Sequence, residues 1–156
     1  MFIPLNLRLF YWFLFRPYLN CFKDDEEYLI ETLKNDHLQP PSDKPYNFTS
    51  SIDHVDNLIG QFGQPIYLDS VIFKGQVEKG FFIEAGADDF EYESNTLFFE
   101  MKYGWTGLLV EPNPIIYPKG LTCNRKAWAS SSCLATKNHP HFVQFAQRLN
   151  EGEKQE

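Results

Sequence analysis

Hydrophobic and polar positions fall into blocks that predict alternating strands and helices in the second half of the chain. Residues 81–85 form a short apolar run between two glycines, which is typical of a buried central strand in an α/β sheet. Residues 105–111 repeat that pattern and stop at Pro112, and a third strand is expected within residues 126–134. The order predicts a βαβαβ unit with a parallel sheet and right-handed crossovers.

Two helical segments are expected between these strands. Ser94 is a suitable cap for the first, and Gly104 is a suitable end for it. Its apolar face consists of Leu97, Phe98 and Met101, at helical spacing. A helix-like linker over residues 113–124 then leads to the third strand. The fold class predicted from this pattern is α/β.

The segment upstream of the first strand predicts helices and loops. Residues 24–35 form an acidic, helix-like stretch with capping-box spacing at its start, and the proline-rich run that follows ends it. Residues 40–57 are predicted to be loop, and they contain the N-glycosylation sequon Asn47-Phe48-Thr49. A short helix is expected at residues 68–72, where apolar residues have i, i+3, i+4 spacing.

The first 22 residues contain eight aromatic side chains and two charges, Arg8 and Arg16. Their uninterrupted apolar core is seven residues long, whereas a spanning helix needs about 20. Four interpretations stay open: a minimal signal peptide without a clear cleavage site, a helix lying in the membrane interface, an aromatic arm packed on the domain, or the remnant of a longer anchor. Membrane association of some kind is therefore one expectation for this segment.

Composition and charge exclude several classes of protein. The chain has 156 residues, enough for one sizeable core, and a 43% hydrophobic content that argues against overall disorder. Its formal net charge of −7 offers no global electrostatic basis for binding nucleic acid. The three cysteines and four histidines show no metal-ligating spacing, so no metal site is predicted.

Two acidic residues stand where an α/β sheet binds nucleotide-type ligands. Glu84 and Gly86 lie at the carboxyl end of the first predicted strand, and Glu111 closes the second. An acid at the position of Glu111 can accept hydrogen bonds from ribose hydroxyls. Residues 84–100 hold six acids and no base, which disfavours a pyrophosphate and suits the positively charged S-adenosylmethionine.

Four motifs follow one another in the second half of the chain: Gly-Phe-Phe-Ile-Glu-Ala-Gly-Ala (80–87), Glu-Ser-Asn-Thr-Leu-Phe-Phe-Glu (93–100), Gly-Trp-Thr-Gly-Leu-Leu-Val-Glu-Pro-Asn-Pro (104–114) and Asn-Arg-Lys-Ala-Trp (124–128). Through these motifs the chain resembles the FkbM-type methyltransferase domain over roughly residues 24–140, and its animal Star-like branch most closely. It implies a Rossmann-like methyltransferase fold that binds S-adenosylmethionine. The cofactor-binding residues that it implies are Glu84, Gly86, Ala87, Asp89, Asn95 and Glu111; no catalytic residue is assigned.

The chain departs from this family at two places. Phe90 stands where the family has a glycine, which predicts weakened cofactor binding because glycine alone adopts positive φ without strain. The later segments of the family domain are missing, so the expected fold is its N-terminal half, with three parallel strands and flanking helices. The first strand would then lack a neighbour on one side, which predicts a partner covering that edge. Residues 142–145 are a candidate for one more short strand.

The expected organisation has four parts. These are the aromatic segment 1–22, a helical and loop extension 23–79, the partial methyltransferase-like domain 80–145 and a charged tail 146–156. The resemblance implies a role in trafficking through secretory and endosomal membranes (endoplasmic reticulum, Golgi, late endosome, plasma membrane), with a growth-factor precursor or other membrane cargo as partner. Phe90, the missing later segments and the aromatic N-terminus favour a non-catalytic role. The alternative is a methyltransferase that modifies oxygen atoms of a small molecule or glycan.

Overall fold

The computed structural model describes residues 27–50, 58–76, 78–135 and 137. Lys34–Leu134 forms one compact unit; Met1–Leu33 and Ala135–Glu156 group separately, and the described part of that second unit is chiefly helix α1. The elements in chain order are α1 (Glu27–Thr32), a π-helical turn (Leu33–His37), β1 (Leu38–Gln39), α2 (Gln64–Tyr67), a second π-helical turn (Leu68–Ile72), β2 (Phe81–Ala85), α3 (Leu97–Tyr103), β3 (Thr106–Val110), α4 (Tyr117–Leu121) and β4 (Trp128–Ser130).

A four-stranded sheet organises the larger unit, in the order β1-β4-β3-β2. The strands β2, β3 and β4 are parallel, as the alternating pattern predicts, and β1 pairs antiparallel with β4. Helix α3 connects β2 to β3, and α4 connects β3 to β4. The α/β class and the βαβαβ order predicted from the sequence are therefore confirmed.

One face of the sheet carries the hydrophobic core. Phe82, Leu109 and Ala129 lie on this face, and they cluster with the buried residues Ala87, Phe90 and Ala127. Gly107 of β3 allows close packing on the same face, because a Cβ there would lie 2.5 Å from the Phe82 carbonyl oxygen and closer still to its ring. Trp105 and Tyr117 pack against the edges of this cluster.

Helix α3 is the best-buried helix of the unit. Its start is entirely buried, including Phe98 and Glu100, and Gly104 ends it in the left-handed conformation with φ of 65°. The aromatic side chains of this helix pack against neighbouring rings, and Phe99 stacks on Trp105 with ring centroids 4.9 Å apart. Lys102 in its last turn binds Asp69 at 2.9 Å. The glycine end is confirmed, and of the predicted apolar face Leu97 and Phe98 are buried whereas Met101 is half-buried. The expected cap is wrong by two residues, because Thr96 and not Ser94 occupies the N-cap position.

The opposite face of the sheet is largely open at β2. Phe81 is 59% exposed and Ile83 is 63% exposed, and Trp128 on the same face is 43% exposed. Within the described ranges, no strand pairs with the outer side of β2. The strand has the predicted bounds, but it is not the buried central strand that its apolar run suggested. In the described ranges it has one neighbour, which agrees with the expectation of an uncovered edge.

Four other sequence expectations need correction or fall on residues outside the described ranges. The sheet has a fourth strand, β1, which the apolar pattern could not predict because two residues carry no periodicity. In its described part, from residue 27 onward, the expected helix over residues 24–35 is α-helical at Glu27–Thr32 and then widens to a π-helical turn at Leu33–His37. The candidate strand at residues 142–145 and the aromatic segment 1–22 lie outside the described residues. No helix in the described ranges is long and apolar enough to cross a membrane.

Candidate functional site

The candidate site lies at the carboxyl ends of β2 and β3, which adjoin in the parallel sheet. Ala85 pairs with Val110, and the Gly86 and Ala87 amides both donate to the Val110 carbonyl, at 2.9 and 3.1 Å. The Glu111 amide donates in turn to the Ser130 carbonyl at 3.0 Å. The sequence-predicted acids are thus brought to one edge of the sheet, where open α/β sheets bind ligands.

Glu84 is committed to the loop that precedes α3. Its carboxylate accepts hydrogen bonds from the Ser94 hydroxyl at 2.8 Å, the Asn95 amide at 2.8 Å and the Thr96 hydroxyl at 2.6 Å. The Asn95 side-chain oxygen is itself buried without a hydrogen-bond partner. Glu84 therefore holds the start of α3 against the end of β2, and its three bonds are all made to the chain itself.

Glu111 is buried, with 7% of its surface exposed. One carboxylate oxygen accepts from the Asp88 amide at 2.9 Å, and the other accepts from the Asn113 amide at 2.8 Å. These two bonds tie the loop after β2 to the loop after β3. A ribose would have to reach a carboxylate that is already covered by these two loops.

The remaining predicted ligands occupy three different environments. Gly86 is exposed with φ of 80°, and open space surrounds its Cα. Ala87 is 4% exposed and belongs to the core. Asp89 accepts hydrogen bonds from the amides of Glu91 at 3.0 Å and Tyr92 at 2.7 Å, which closes a turn of the loop. Of these three, Gly86 alone is exposed, and its amide already donates to the Val110 carbonyl.

Phe90 takes the backbone conformation that a glycine would have there. Its φ is 66°, and its side chain is 1% exposed. The ring contacts Tyr117 edge-on, with centroids 5.9 Å apart, and lies against Gly120. Burial of the ring thus offsets the strain of a left-handed residue, about 1–2 kcal/mol. The predicted effect of Phe90 on cofactor binding stays a prediction.

A buried ion pair beneath this loop was missed by the sequence analysis. The Arg125 Nε donates to Glu100 Oε2 at 2.9 Å, and both side chains are at most 2% exposed. The same guanidinium donates to the Phe90 carbonyl, the Ser94 hydroxyl and the Thr96 hydroxyl. A signal existed, because Glu100 lies three residues after Leu97 on the apolar stripe, where an acid needs a partner.

This ion pair corrects the electrostatic expectation for the loop. Six acids without a base in residues 84–100 suggested an anionic surface that selects a cationic ligand. Glu100 is neutralised by Arg125 from a distant part of the chain, and Glu84 and Glu111 are covered by hydrogen bonds. Asp88 stays exposed at the surface, but its carboxyl is partly desolvated, and this raises its pKa. The nearby charges of Asp89 and Glu111 raise that pKa further.

Residues 42–50 form a strap across the segment 122–126 that precedes β4. The Ser42 amide donates to the Arg125 carbonyl at 3.1 Å, and Lys126 Nζ donates back to the Ser42 carbonyl at 3.0 Å. At its far end, the Glu91 carboxylate accepts from the amides of Thr49 and Ser50, both at 2.7 Å. Burial alone would raise the pKa of the Glu91 carboxyl, but these hydrogen bonds outweigh it and lower that pKa.

A crevice of about 40 Å³ lies beneath the strap, next to the core. It is lined by Pro40, Ser42, Phe90, Leu109, Gly120, Leu121, Asn124, Arg125, Ala127 and Ala129. Small-molecule sites have volumes of about 300–1,000 Å³, so this crevice does not admit a nucleoside. Of the predicted ligands, none lines it.

The part of the chain that the structure describes contains no metal-binding cluster, and its buried thiol is not reactive. No three His, Cys, Asp or Glu side chains group there to hold a metal ion. Cys123 and Cys133 are free thiols, the first buried and the second exposed. Burial, together with the Glu91 and Asp89 charges, raises the pKa of the Cys123 thiol to about 11, so it stays protonated at neutral pH.

Comparison of the chain with protein-family models, with curated proteins and with solved structures finds no match. The resemblance to the FkbM-type domain therefore stays a prediction that rests on the four motifs. The contacts of the candidate site are the remaining basis for a functional conclusion.

Proposed function

We propose that this chain is a non-catalytic interaction module of the FkbM-like, Star-like type, acting in secretory and endosomal membrane trafficking. The observation that carries the non-catalytic part is the state of the two predicted cofactor acids. Glu84 accepts three hydrogen bonds and Glu111 accepts two, all from the chain's own amides and hydroxyls. A carboxylate must give up such bonds, or share them, before it can hold a ribose.

The open side of β2 supports the interaction part of the proposal. Among the residues that the structure describes, no strand pairs with its outer backbone edge, which adjoins the exposed side chains of Phe81 and Ile83. Exposed apolar edge strands pair readily with other chains, and strand addition is a common mode of protein recognition. The partner in this proposal contributes a strand along β2; a growth-factor precursor or other membrane cargo is the expected class.

Calorimetric titration of the full chain with S-adenosylmethionine tests the non-catalytic part. No saturable heat at micromolar to millimolar ligand is the expected result. Glu111→Gln is the variant of the predicted site, and Glu93→Gln is its matched control, because Glu93 is an exposed acid of the same loop. Micromolar binding that Glu111→Gln abolishes and Glu93→Gln preserves would contradict the proposal and favour the O-methyltransferase alternative.

Co-expression in animal cells with a membrane-anchored growth-factor precursor tests the trafficking part. The measured quantity is the fraction of precursor that reaches the cell surface, with and without this chain. Ile83→Lys places a charge on the open edge, and Ile72→Lys is its control because Ile72 is 55% exposed elsewhere. We expect the chain to change that fraction and Ile83→Lys alone to abolish the change. Equal behaviour of the two variants would count against β2 as the contact surface.

A further inference from the structure

The sequon Asn47-Phe48-Thr49 lies on the strap, with the Asn47 side chain exposed. We propose that Asn47 is a site of N-linked glycosylation, and that docking of the strap closes the site once the chain has folded. This inference rests on the secretory location in the proposed function, since the modifying enzyme works in the lumen of the endoplasmic reticulum.

Both groups that the modification needs are engaged in the folded strap. The Asn47 Nδ2 donates to the Thr122 carbonyl at 3.1 Å, and its backbone amide donates to the Cys123 carbonyl at 3.0 Å. The Thr49 hydroxyl donates to Glu91 Oε2 at 2.9 Å. An oligosaccharyltransferase must bind the asparagine carboxamide and the threonine hydroxyl together, so it competes with the strap's own contacts.

Phe48 adds to the closure of the site. Its ring stacks on Tyr46 with centroids 5.1 Å apart, and Lys126 lies over the Tyr46 ring at 4.8 Å. The middle residue of the sequon is therefore half-buried between its neighbours. Transfer to the folded strap would require these ring contacts to break together with the hydrogen bonds that Glu91 accepts from Thr49 and Ser50. The unfolded chain that emerges into the lumen presents the sequon without these contacts.

The covalent step consumes a lipid-linked donor. The Asn47 Nδ2 bonds to the anomeric carbon of an oligosaccharide, the bond from that carbon to the pyrophosphate oxygen breaks, and the dolichyl pyrophosphate leaves. One amide proton passes to a base of the transferase. Nδ2 keeps its second hydrogen, which can still donate to the Thr122 carbonyl after folding. Because the side chain is exposed, the folded strap accommodates the glycan in solvent.

Cell-free translation with endoplasmic-reticulum microsomes tests the site itself. The full chain is translated behind an added cleavable signal sequence, and the product is treated with an endoglycosidase. One glycosidase-sensitive shift is expected; Asn47→Gln abolishes it, and Thr49→Ser preserves it because serine keeps the hydroxyl. Absence of the shift in the wild-type chain, or its persistence in Asn47→Gln, would overturn the site.

The closure is tested with the purified, folded full chain. It is incubated with solubilised transferase and lipid-linked oligosaccharide, and the glycosylated fraction is measured over time. We expect little modification of the wild type, severalfold more of Glu91→Ala, and no gain for the control Glu93→Ala, with circular dichroism verifying that each variant is folded. Equal modification of wild type and Glu91→Ala would overturn the closure.

A third arm separates this inference from the proposed function. The chain is translated with microsomes from its own first residue, with no added signal sequence. Modification there supports both proposals. A chain that is modified behind the added signal but never without it supports the Asn47 site and counts against residues 1–22 as a segment that directs the chain into the secretory pathway.

Discussion

Removing Arg125 is expected to destabilise the larger unit more than any other single polar substitution that its contacts suggest. The side chains of Arg125 and Glu100 are 2% and 1% exposed, and their ion pair is 2.9 Å long. Arg125→Met leaves the Glu100 carboxylate buried, with the Lys126 amide at 2.7 Å as its remaining backbone donor. The Phe90 carbonyl loses a donor as well.

The magnitude follows from the cost of an uncompensated buried charge. Breaking a buried ion pair by removing one partner costs about 3–5 kcal/mol, against a total stability of about 5–15 kcal/mol for a domain. At this chain length the loss corresponds to a melting temperature lowered by about 6–20 °C. Urea unfolding of the full chain at pH 7, followed by tryptophan fluorescence, measures the free energy of unfolding.

The double variant Arg125→Met/Glu100→Leu separates charge from packing. Replacing both partners with apolar residues removes the orphaned charge, and such replacements are often neutral or stabilising. We therefore expect the double variant to be more stable than Arg125→Met. An Arg125→Met loss below about 1 kcal/mol, or a double variant no more stable than the single one, would refute the reasoning.

Three further outcomes are expected in the same unfolding assay. Phe90→Gly should destabilise the fold, because it loses about 3–5 kcal/mol of ring packing against Tyr117 and regains only about 1–2 kcal/mol from relieved backbone strain. A variant more stable than the wild type would contradict the burial of this ring. Because the folded pKa of Glu91 lies below its ordinary value of 4.5, its stabilising effect is present above pH 4.5 and is lost as the pH falls. The difference in free energy of unfolding between wild type and Glu91→Gln should therefore shrink in acid. A difference that does not change with pH would show that the hydrogen bonds of the Glu91 carboxylate to Thr49 and Ser50 do not stabilise the fold. Gly107→Ala should cost about 1–3 kcal/mol by crowding Phe82, whereas an unchanged midpoint would show that β3 adjusts freely.

Much of the parallel unit was predictable because its signals are local. The run at residues 81–85 and the glycine after α3 gave the bounds of β2 and the end of the helix correctly. Both depend on the chemistry of adjacent residues: apolar side chains suit a strand, and glycine accepts the left-handed end of a helix. The position of Glu111 at the end of β3 followed from the same local reasoning.

The sequence predicted where the candidate site lies, but not that its carboxylates are occupied by hydrogen bonds from the chain itself. Residues at the ends of two adjacent parallel strands must share an edge of the sheet, so the grouping of Glu84 with Glu111 required only topology. Their hydrogen bonds depend instead on how the loop after β2 folds back over them. That folding is set by Phe90, whose ring enters the core while its backbone adopts a positive φ.

The sequence by itself determined the α/β order, the bounds of β2 and the edge of the sheet at which the acids gather, because periodicity and strand ends are properties of neighbouring residues. Only the tertiary structure decided the partner of Glu100, which is 25 residues away in the chain, and the hydrogen bonds that cover Glu84 and Glu111. Charge pairing and strand neighbours are non-local, since any distant segment can satisfy a buried acid or an open edge. The physical reason is that such contacts form only when distant segments pack together, so no short sequence pattern indicates them.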